Sequence, residues 1–441
     1  MASAAARFYL VPSNYTHVLA STIPYWGRSF SEVAAEVAAQ QRATRKKAVG
    51  SSPFPPFALP HADFEFTSWR VLQHVLVHSL ARHPSRVSER RFLRDSDFCV
   101  AVMPQRPHSG KDLSSPLYPG GPTPGAESLA GRSECQAYKA HWRSACPSRL
   151  IVALDVPDID YRGWRGCDAL WEHCSTNDTR VLRVSGGPPF TGPRAPWARC
   201  PHVTVPWLAH VRSPRVAVEL AEKSAAGTHE RTVVVAGAFS TMGHGFTVLH
   251  GWGDWRRRLR NACRPTKLGE GGRHTMCLWS YQPPSCKECL AAREAIELYA
   301  HSTFCLQPPG DVIARGAIVD AISVGCIPVF FHRAQAALWQ WHWNASDASV
   351  LFDWSAAGSD ESAKNGTAVM DALVAMRDTA ATRRMQARVV EAARRMMYRK
   401  REAAGGGGDA VAEEDAVDVL VERLGRFARA RAGGSRRDQR M

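Results

Sequence analysis

The sequence has no long apolar segment. No run of about 18 apolar residues, the length that a membrane-spanning helix needs, occurs in the 441 residues. The first residues, MASAAARFYLVPS, are short for a secretory signal and continue directly into a strand-like segment. We therefore expect neither a transmembrane anchor nor a signal peptide in this chain.

The cysteines do not form a metal-binding pattern. Cys286 and Cys289 stand in a lone CxxC pair among the 12 cysteines, and no second pair lies at the spacing of a zinc site. We therefore expect no metal site. Cys305 and Cys326 lie in apolar, strand-like surroundings and are predicted to be buried thiols. Several of the other cysteines could pair in an oxidising compartment.

Acidic residues are fewer than basic ones. The chain has 41 Asp and Glu against 56 Lys and Arg, a formal net charge of +15. No RNA- or DNA-binding motif accompanies this charge, so we expect no nucleic-acid partner. One interpretation of the charge is an anionic substrate, such as a nucleotide sugar or an acidic polysaccharide. The other is an arginine-rich composition without functional meaning.

One stretch, residues 302–331, has the pattern of a strand, a helix and a second strand. Residues 303–307 are β-prone, and the Pro-Pro-Gly sequence at residues 308–310 ends them. Apolar residues then recur at helical spacing. Residues 327–331 form an unbroken apolar run, typical of a strand that is buried on both faces. The stretch therefore predicts a βαβ unit of a parallel sheet.

The chemistry of this unit is expected at the loop after its first strand. Parallel sheets bind ligands beyond the carboxyl ends of their strands, and a helix N-terminus adds N–H groups and a partial positive charge. We predict that Asp311 caps the helix and that Arg315, in the first turn, could bind a diphosphate. Gly325 suits the left-handed residue that ends such a helix. The alternative is an ordinary core unit with Arg315 as a solvated charge.

The same stretch resembles the signature of the exostosin-type glycosyltransferases. This family includes animal heparan sulfate polymerases and plant cell-wall glycosyltransferases. Its pattern reads roughly FCL-x-P-x-GD, an arginine at the helix start, and D-x-x-x-x-GCIPV; this chain has FCLQPPGD, Arg315, and Asp320 followed by GCIPV. Family members often carry Thr-Arg-Arg where this chain has Ala314, Arg315 and Gly316, so one of the two arginines is missing.

A second segment resembles the family before this stretch. Residues 231–239 have the pattern of a buried strand, similar to the first strand of the family's second Rossmann-like half. The helical pattern of residues 254–263 puts Arg256 on the family's arginine. Gly237 would let a phosphate approach the backbone closely, and Arg256 could meet its charge. The alternative is a basic, solvated helix face, because Arg256 begins a run of three arginines.

The acceptor side has weaker signals. Residues 149–155 form a strand pattern that ends on Asp155, our best-placed candidate for the base that deprotonates the acceptor hydroxyl. A structural aspartate at a turn is the alternative for Asp155. In the family a comparable strand follows a Gly-x-Asp-His motif, and residues 147–149 lack that histidine. The tryptophans of residues 339–343 could stack on a sugar or fill a core corner.

The remaining C-terminal patterns predict further elements of an α/β fold. Residues 348–353 predict a strand, residues 368–390 an amphipathic helix, and residues 412–427 a final helix with one apolar face.

The resemblance implies an α/β fold of the GT-B type, in which two Rossmann-like domains face a cleft. We expect residues 1–212 to form the acceptor-side domain and residues 213–400 to form the nucleotide-sugar-binding domain. Residues 401–441 would hold a Gly-rich break, a terminal helix and a basic disordered tail. The implied activity is an inverting transfer of a sugar from a nucleotide-diphosphate sugar, expected to be a UDP-sugar, to a glycan, cell-wall polysaccharide or glycoprotein.

The expected donor-binding residues all lie in the second of these domains. The resemblance implies that the reaction requires no cofactor besides the nucleotide-sugar donor. Asp320 would contact a ribose or sugar hydroxyl of that donor. The full set is Gly237, Arg256, Gly310, Asp311, Arg315 and Asp320.

The resemblance also implies a place in the cell and partners. Family members usually carry an N-terminal anchor and a stem in the Golgi, and could form homo- or hetero-oligomers with related transferases. Four N-glycosylation sequons weakly favour a lumenal location, at Asn14, Asn177, Asn344 and Asn365. The alternative function is a non-catalytic glycan-binding or scaffold protein, which the missing arginine and histidine slightly favour.

Overall fold

The computed structural model contains two β-sheets with helices packed against them. It describes residues 6–10, 76, 79–88, 96–102, 144, 146, 150–154, 181–186, 201–211, 215–226, 230–239, 252–263, 266–268, 273–278, 292–310, 313–355, 365–398 and 414–432. Both sheets are parallel apart from one strand pair, so the chain has the mixed α/β architecture that the sequence predicts.

The first sheet has five parallel strands, and their order in the sheet follows their order in the chain. The side chains described in β2 and β3 are buried, as expected for strands covered on both faces, whereas β5 at the edge of the sheet is exposed or partly exposed. The strands are β1 (Phe8–Leu10), β2 (Phe98–Val102), β3 (Leu150–Leu154), β4 (Val181–Ser185) and β5 (His202–Thr204).

The second sheet has six strands in the order β11-β10-β9-β6-β8-β7. All neighbours are parallel except β7 and β8. The strands are β6 (Val233–Ala238), β7 (Thr266–Leu268), β8 (Arg273–Leu278), β9 (Ser302–Gln307), β10 (Ile327–Phe330) and β11 (Val350–Leu351).

Most of the helices accompany the second sheet. The described helices are α1 (Arg215–Ala225), α2 (Trp252–Ala262), α3 (Ala292–Ala300), α4 (Gly316–Ser323), α5 (Arg333–Ala336), α6 (Ala345–Ala348), α7 (Gly366–Met376), α8 (Ala380–Met396) and α9 (Ala416–Ala432).

The predicted βαβ unit is confirmed as β9, α4 and β10. The two strands lie side by side and parallel, with Ile327 opposite Phe304, and every residue of both strands is buried. Gly325 has a φ of 72°, the left-handed conformation that a side chain would make unfavourable.

The predicted start of the helix is wrong. Helix α4 begins at Gly316, and its N-cap residue is Arg315, whose side chain makes no capping bond. Asp311 is therefore not the cap, and Arg315 precedes the first turn instead of lying in it. The reason is the burial of Ile313 and Ala314, which are each 1% exposed. These two apolar side chains pack in the core before the chain turns into the helix.

The prediction that Cys305 and Cys326 are free thiols is also wrong. Both are fully buried, as expected, but they form a disulfide between the adjacent strands of the unit. A second disulfide joins Cys99 and Cys146, and Cys263 is disulfide-bonded as well. Within the described ranges there is no free cysteine. Several disulfides in one chain are typical of a protein from an oxidising compartment.

Two of the C-terminal predictions need correction. The strand predicted over residues 348–353 is reduced to the two residues of β11, because Asn344 caps the short helix α6 directly before it. The helix predicted over residues 368–390 is two helices, α7 and α8. Thr379 starts the second one, since its hydroxyl accepts a hydrogen bond from the Thr382 N–H at 3.2 Å.

The predicted terminal helix is α9, and it packs on the first sheet. Arg429 Nη1 lies 3.0 Å from Asp97 Oδ2, and His83 Nε2 lies 3.0 Å from Asp418 Oδ1. The last part of the described chain therefore returns to complete the core of its first part. The core residues that α9 supplies include Val417, Leu420, Val421 and Leu424.

Among the described residues, no helix is both long enough and apolar enough to cross a membrane.

One buried histidine makes the fold sensitive to acid. The His342 ring lies 3.1 Å from the Ala416 carbonyl at the start of α9, so Nε2 donates this bond. Burial lowers the pKa of His342 to about 3, and the charges of Arg395 and Arg423 act in the same direction. The ring is therefore neutral in the folded protein at pH values where an unfolded chain would bind a proton.

We predict that His342→Gln flattens the pH dependence of stability. Below about pH 6 the unfolded state binds more protons than the folded state, so the free energy of unfolding falls as the pH falls. The contribution of His342 to this slope is at most about 1.4 kcal/mol per pH unit. Glutamine keeps a donor for the Ala416 carbonyl but does not titrate. Urea unfolding of both proteins at pH 7, 6 and 5 measures the difference, and equal slopes would contradict the assignment.

Candidate functional site

The site lies at the carboxyl ends of β6 and β9, two neighbouring strands of the second sheet. Gly237, one residue before the end of β6, is paired with Leu306, one residue before the end of β9. The loop that follows β9, residues 308–310, is buried. Gln335 holds this edge in place, because its amide donates to the Gln307 carbonyl at 2.8 Å and accepts from the Phe331 N–H at 3.0 Å.

Two of the predicted arginines meet at a predicted glycine. A methyl group on the Gly310 Cα would lie 2.9 Å from Arg256 Nη2 and 3.2 Å from Arg315 Cδ. Arg256, on α2, is only 5% exposed, so the solvated-face interpretation of this residue is wrong. Arg315 is also partly buried and donates from Nη1 to the Pro308 carbonyl at 2.9 Å. Arg256, which lies far from the other two in sequence, thus forms one cluster with Gly310 and Arg315.

Helix α4 begins at this cluster. Its N-cap residue is Arg315, and no side chain caps it. The first N–H groups of a helix have no partner within the helix and carry a partial positive charge. The loop after β9 therefore combines two guanidinium groups with a helix N-terminus. Such a combination favours an anion, and a phosphate group in particular.

A buried tyrosine lies beneath this cluster. Burial raises the pKa of Tyr299 on α3, while the positive charge of Arg315 acts in the opposite direction. The phenol is therefore neutral, and the guanidinium of Arg315 lies within electrostatic reach of it. Sequence patterns did not indicate Tyr299, because an aromatic residue on the apolar face of a helix looks like any core residue.

Asp320 lies on the same helix but contacts the other half of the chain. Its Oδ1 accepts a hydrogen bond from the His210 N–H at 2.8 Å, and its Oδ2 lies 2.9 Å from His210 Nδ1. The predicted contact of Asp320 with a ribose or sugar hydroxyl stays a prediction. Sequence analysis missed His210, because a single histidine after a short strand carries no motif.

Two of the predicted site residues lie outside the described residues. Asp311, which follows Gly310, lies outside the described residues. The candidate base Asp155 does so too, although β3 ends at Leu154, directly before it. Their predicted roles therefore stay predictions.

The carboxyl ends of β4 and β5, in the first sheet, lie against the second sheet near the site. The Gly186 carbonyl, directly after β4, accepts bonds from two indole N–H groups: that of Trp207 at 2.9 Å and that of Trp339 at 3.3 Å. The Trp339 N–H donates to Thr204 Oγ1 at 2.8 Å. Tyr398, at the end of α8, donates its hydroxyl to the Pro206 carbonyl at 2.7 Å. Strong polar contacts therefore join the two sheets beside the site.

The tryptophans of residues 339–343 belong to the core. Trp339 and Trp343 pack in the core of the second sheet, and Trp341 packs in the core of the first. Trp339 is fully buried with a φ of 56°, an unusual conformation for a large side chain. The core interpretation is thus confirmed for all three, and the cluster joins the two cores.

In the part of the chain that the structure describes, no group of three or more His, Cys, Asp or Glu side chains could hold a metal ion.

The segment that contains this cluster is similar to known proteins. Residues 253–359, which include Arg256, Gly310 and Arg315, match the Exostosin GT47 domain. The probable xyloglucan galactosyltransferase GT15 of Arabidopsis thaliana is 48% identical over 58 residues, which make up 12% of this chain and 12% of that protein. The probable xyloglucan galactosyltransferase GT19 of the same plant is 37% identical over 90 residues, 20% of each chain.

These similarities are local. The matched segments span about an eighth to a fifth of the two relatives. A solved structure, "Crystal structure of GtfA/B complex", covers 83% of this chain and 62% of that one, with 9% identity and a TM-score of 0.36, which is too low to bear on the fold. The resemblance seen in the sequence is confirmed for the segment that holds the cluster, since residues 253–359 match the Exostosin GT47 domain.

Proposed function

We propose that this protein is an inverting glycosyltransferase that moves a sugar from a UDP-sugar to a hydroxyl group of a cell-wall glycan. The observation that carries the proposal is the meeting of Arg256 and Arg315 at Gly310, in front of the N-terminus of α4. The names of the relatives, xyloglucan galactosyltransferases, support a plant polysaccharide as the class of acceptor. A glycoprotein or another glycan stays within the proposal.

The departure of the diphosphate is the step that needs the most stabilisation. When the bond between the sugar and the diphosphate breaks, negative charge develops on the diphosphate, and groups aimed at that charge lower the barrier. Arg256 and Arg315 would bind the diphosphate, and Gly310, which has no side chain, lets both arginines approach the loop closely. The N–H groups of α4 would bind it as well. These groups supply positive charge at the leaving group, so the proposal requires no added cofactor.

The architecture fits a donor and an acceptor on opposite sides of one site. We propose a GT-B-like arrangement of two Rossmann-like domains, residues 1–212 and 213–400, with residues 401–441 as a terminal extension. The second would hold the donor through Gly237, Gly310 and the arginines, and the first would present the acceptor. The contacts of β4 and β5 with the second sheet, beside the site, support this arrangement.

The disulfides support a lumenal compartment. The described cysteines are disulfide-bonded, which an oxidising environment favours. We propose the Golgi lumen, where polysaccharide-forming transferases of this kind act, and where related transferases could assemble with this one.

We predict that Arg315→Ala and Arg256→Ala each lower the affinity for UDP by about 10- to 100-fold. The reason is that each removes a charge-assisted hydrogen bond worth about 1.5–3 kcal/mol. The measurement is thermal stability with UDP, GDP and a panel of nucleotide sugars. A ligand at about 100 times its Kd stabilises the protein by about 2.7 kcal/mol. The variants should lose most of this stabilisation.

The matched control is Arg257→Ala. Arg257 lies on α2 next to Arg256, but it is exposed and pairs with Asp254 at 2.8 Å. Removing it takes away the same charge without touching the cluster, so UDP should stabilise this variant as it does the wild type. No stabilisation of the wild type by any nucleotide would refute the donor site. Nucleotide binding without sugar transfer would favour a non-catalytic scaffold.

We predict that Gly310→Ala weakens UDP binding with little effect on stability. The added methyl group would lie 2.9 Å from Arg256 Nη2 and 3.2 Å from Arg315 Cδ, so both side chains must move. Their ends are flexible, and the expected change in the free energy of unfolding is therefore below about 1 kcal/mol. UDP affinity should nevertheless fall by about 10-fold or more. Calorimetric titration with UDP and thermal unfolding measure the two effects.

Gly316→Ala is the size-matched control for this substitution. A methyl group there would meet only the Leu208 carbonyl, at 4.0 Å, and alanine favours a helix over glycine. We expect this variant to bind UDP normally and to be at least as stable as the wild type. If Gly310→Ala also bound UDP normally, the diphosphate would not lie between the two arginines.

A further inference from the structure

A partly exposed histidine is held by a buried aspartate beside the proposed donor site. The His210 side chain is 18% exposed and that of Asp320 is 8% exposed. Oδ1 of Asp320 accepts from the His210 backbone N–H at 2.8 Å, and Oδ2 lies 2.9 Å from Nδ1 of the ring. Both the backbone and the ring of the histidine are therefore fixed by one carboxylate.

The contact determines which ring nitrogen carries the hydrogen. A carboxylate only accepts hydrogen bonds, so Nδ1 must be the donor. In a neutral imidazole the other nitrogen, Nε2, then carries the lone pair. A carboxylate that orients a histidine in this way also stabilises the ring when Nε2 takes up a proton. This is the arrangement of a general base.

The position of the pair relates it to the donor. His210 lies in residues 205–211, which follow β5 and come from the first half of the chain. This segment runs along the start of α4, since the Leu208 carbonyl lies 4.0 Å from the position of a Cβ on Gly316. Asp320 is about one helical turn further along α4, about 5.4 Å along the axis. His210 thus lies beside α4, about one helical turn beyond the end that would bind the diphosphate.

Another histidine provides a contrast with the same chemistry. His83 Nε2 lies 3.0 Å from Asp418 Oδ1, and its Nδ1 accepts a bond from the Ser85 N–H at 3.1 Å. The His83 side chain is only 6% exposed, against 18% for that of His210. This pair joins α9 to the first sheet, away from the second. His210 differs in being more exposed and in lying beside α4.

We propose that His210 is the catalytic base and that Asp320 is its positioning residue. The inference rests on the proposed function. In the step, His210 Nε2 takes the proton of an acceptor hydroxyl, and the oxygen forms a bond to the anomeric carbon of the sugar. The bond from that carbon to the diphosphate breaks, and its electron pair leaves with the UDP beside Arg256 and Arg315. The imidazolium then releases its proton to water.

This assignment gives the base a place that the sequence could not supply. The chain lacks the histidine of the Gly-x-Asp-His motif at residues 147–149. The only reason to expect the base at Asp155 is that this residue ends a strand pattern. It also changes the role of Asp320, whose carboxylate would act through the histidine instead of on a sugar hydroxyl. The two roles make different predictions for donor binding, and the test depends on this difference.

We predict that His210→Gln lowers kcat for UDP release by about 100- to 10,000-fold, the usual contribution of a general base. UDP release would be measured with the full chain, a panel of UDP-sugars, and xyloglucan oligosaccharides or water as acceptor. The Kd for UDP should change by less than about threefold, because the backbone N–H of residue 210 still meets Asp320. Imidazoles added to His210→Ala should restore turnover, and the more basic ones should restore it faster.

Asp320→Asn separates the two roles of the aspartate. If Asp320 positions the base, this variant lowers kcat and binds UDP normally. If it loses UDP binding instead, Asp320 contacts the donor and the inference is overturned. Wild-type turnover in His210→Gln, or a rescue that is independent of basicity, would overturn it as well.

The control is His83→Gln, which removes the other histidine–aspartate pair. We expect it to lower the thermal stability and to leave kcat unchanged. A wild-type protein that binds UDP but releases none from any UDP-sugar would contradict the proposed function itself. That outcome is distinct from an active wild type with an equally active His210→Gln.

Discussion

The absence of a side chain at Gly310 is the constraint on which the site depends. Two cationic side chains, from α2 and from the loop before α4, approach one backbone position so closely that a single methyl group would displace both. Bringing like charges together costs energy unless an anion offsets it, and the cost grows as the site is shielded from water. The fold nevertheless keeps Arg256 almost fully buried. We propose that a diphosphate is the anion that these two guanidinium groups bind.

Helix α4 links the two halves of the proposed reaction. Its N-cap residue, Arg315, lies against Gly310, and one turn into the helix Asp320 holds His210 from the other half of the chain. A donor bound at the helix end and a base held by the helix body would therefore keep a fixed separation. The bonds of Trp339 to the Gly186 carbonyl and to Thr204 Oγ1 act in the same direction, because they restrict the movement of the first sheet relative to the second.

The features that could be predicted from the sequence are those set by neighbouring residues. The apolar pattern of residues 302–331 predicted the unit of β9, α4 and β10. Gly325 predicted the turn after the helix, because the left-handed conformation favours glycine. The resemblance identified the two arginines and Gly310. Their meeting required the three-dimensional fold. The prediction of free thiols at Cys305 and Cys326 was wrong because disulfide pairing depends on which strands are neighbours. His210 could not be identified from the sequence because its partner, Asp320, lies 110 residues away.

The rigidity of this edge explains how a loop can hold a reactive arrangement. The disulfide of Cys305 and Cys326 joins β9 to the residue before β10, and Gln335 bonds to the backbone where each strand ends. The strands are thus fixed to each other at both ends of their contact. Since α4 connects them, its start cannot shift without moving one of the strands. Donor groups that are already in place need no reorganisation when charge develops, and this preorganisation is where most electrostatic catalysis arises.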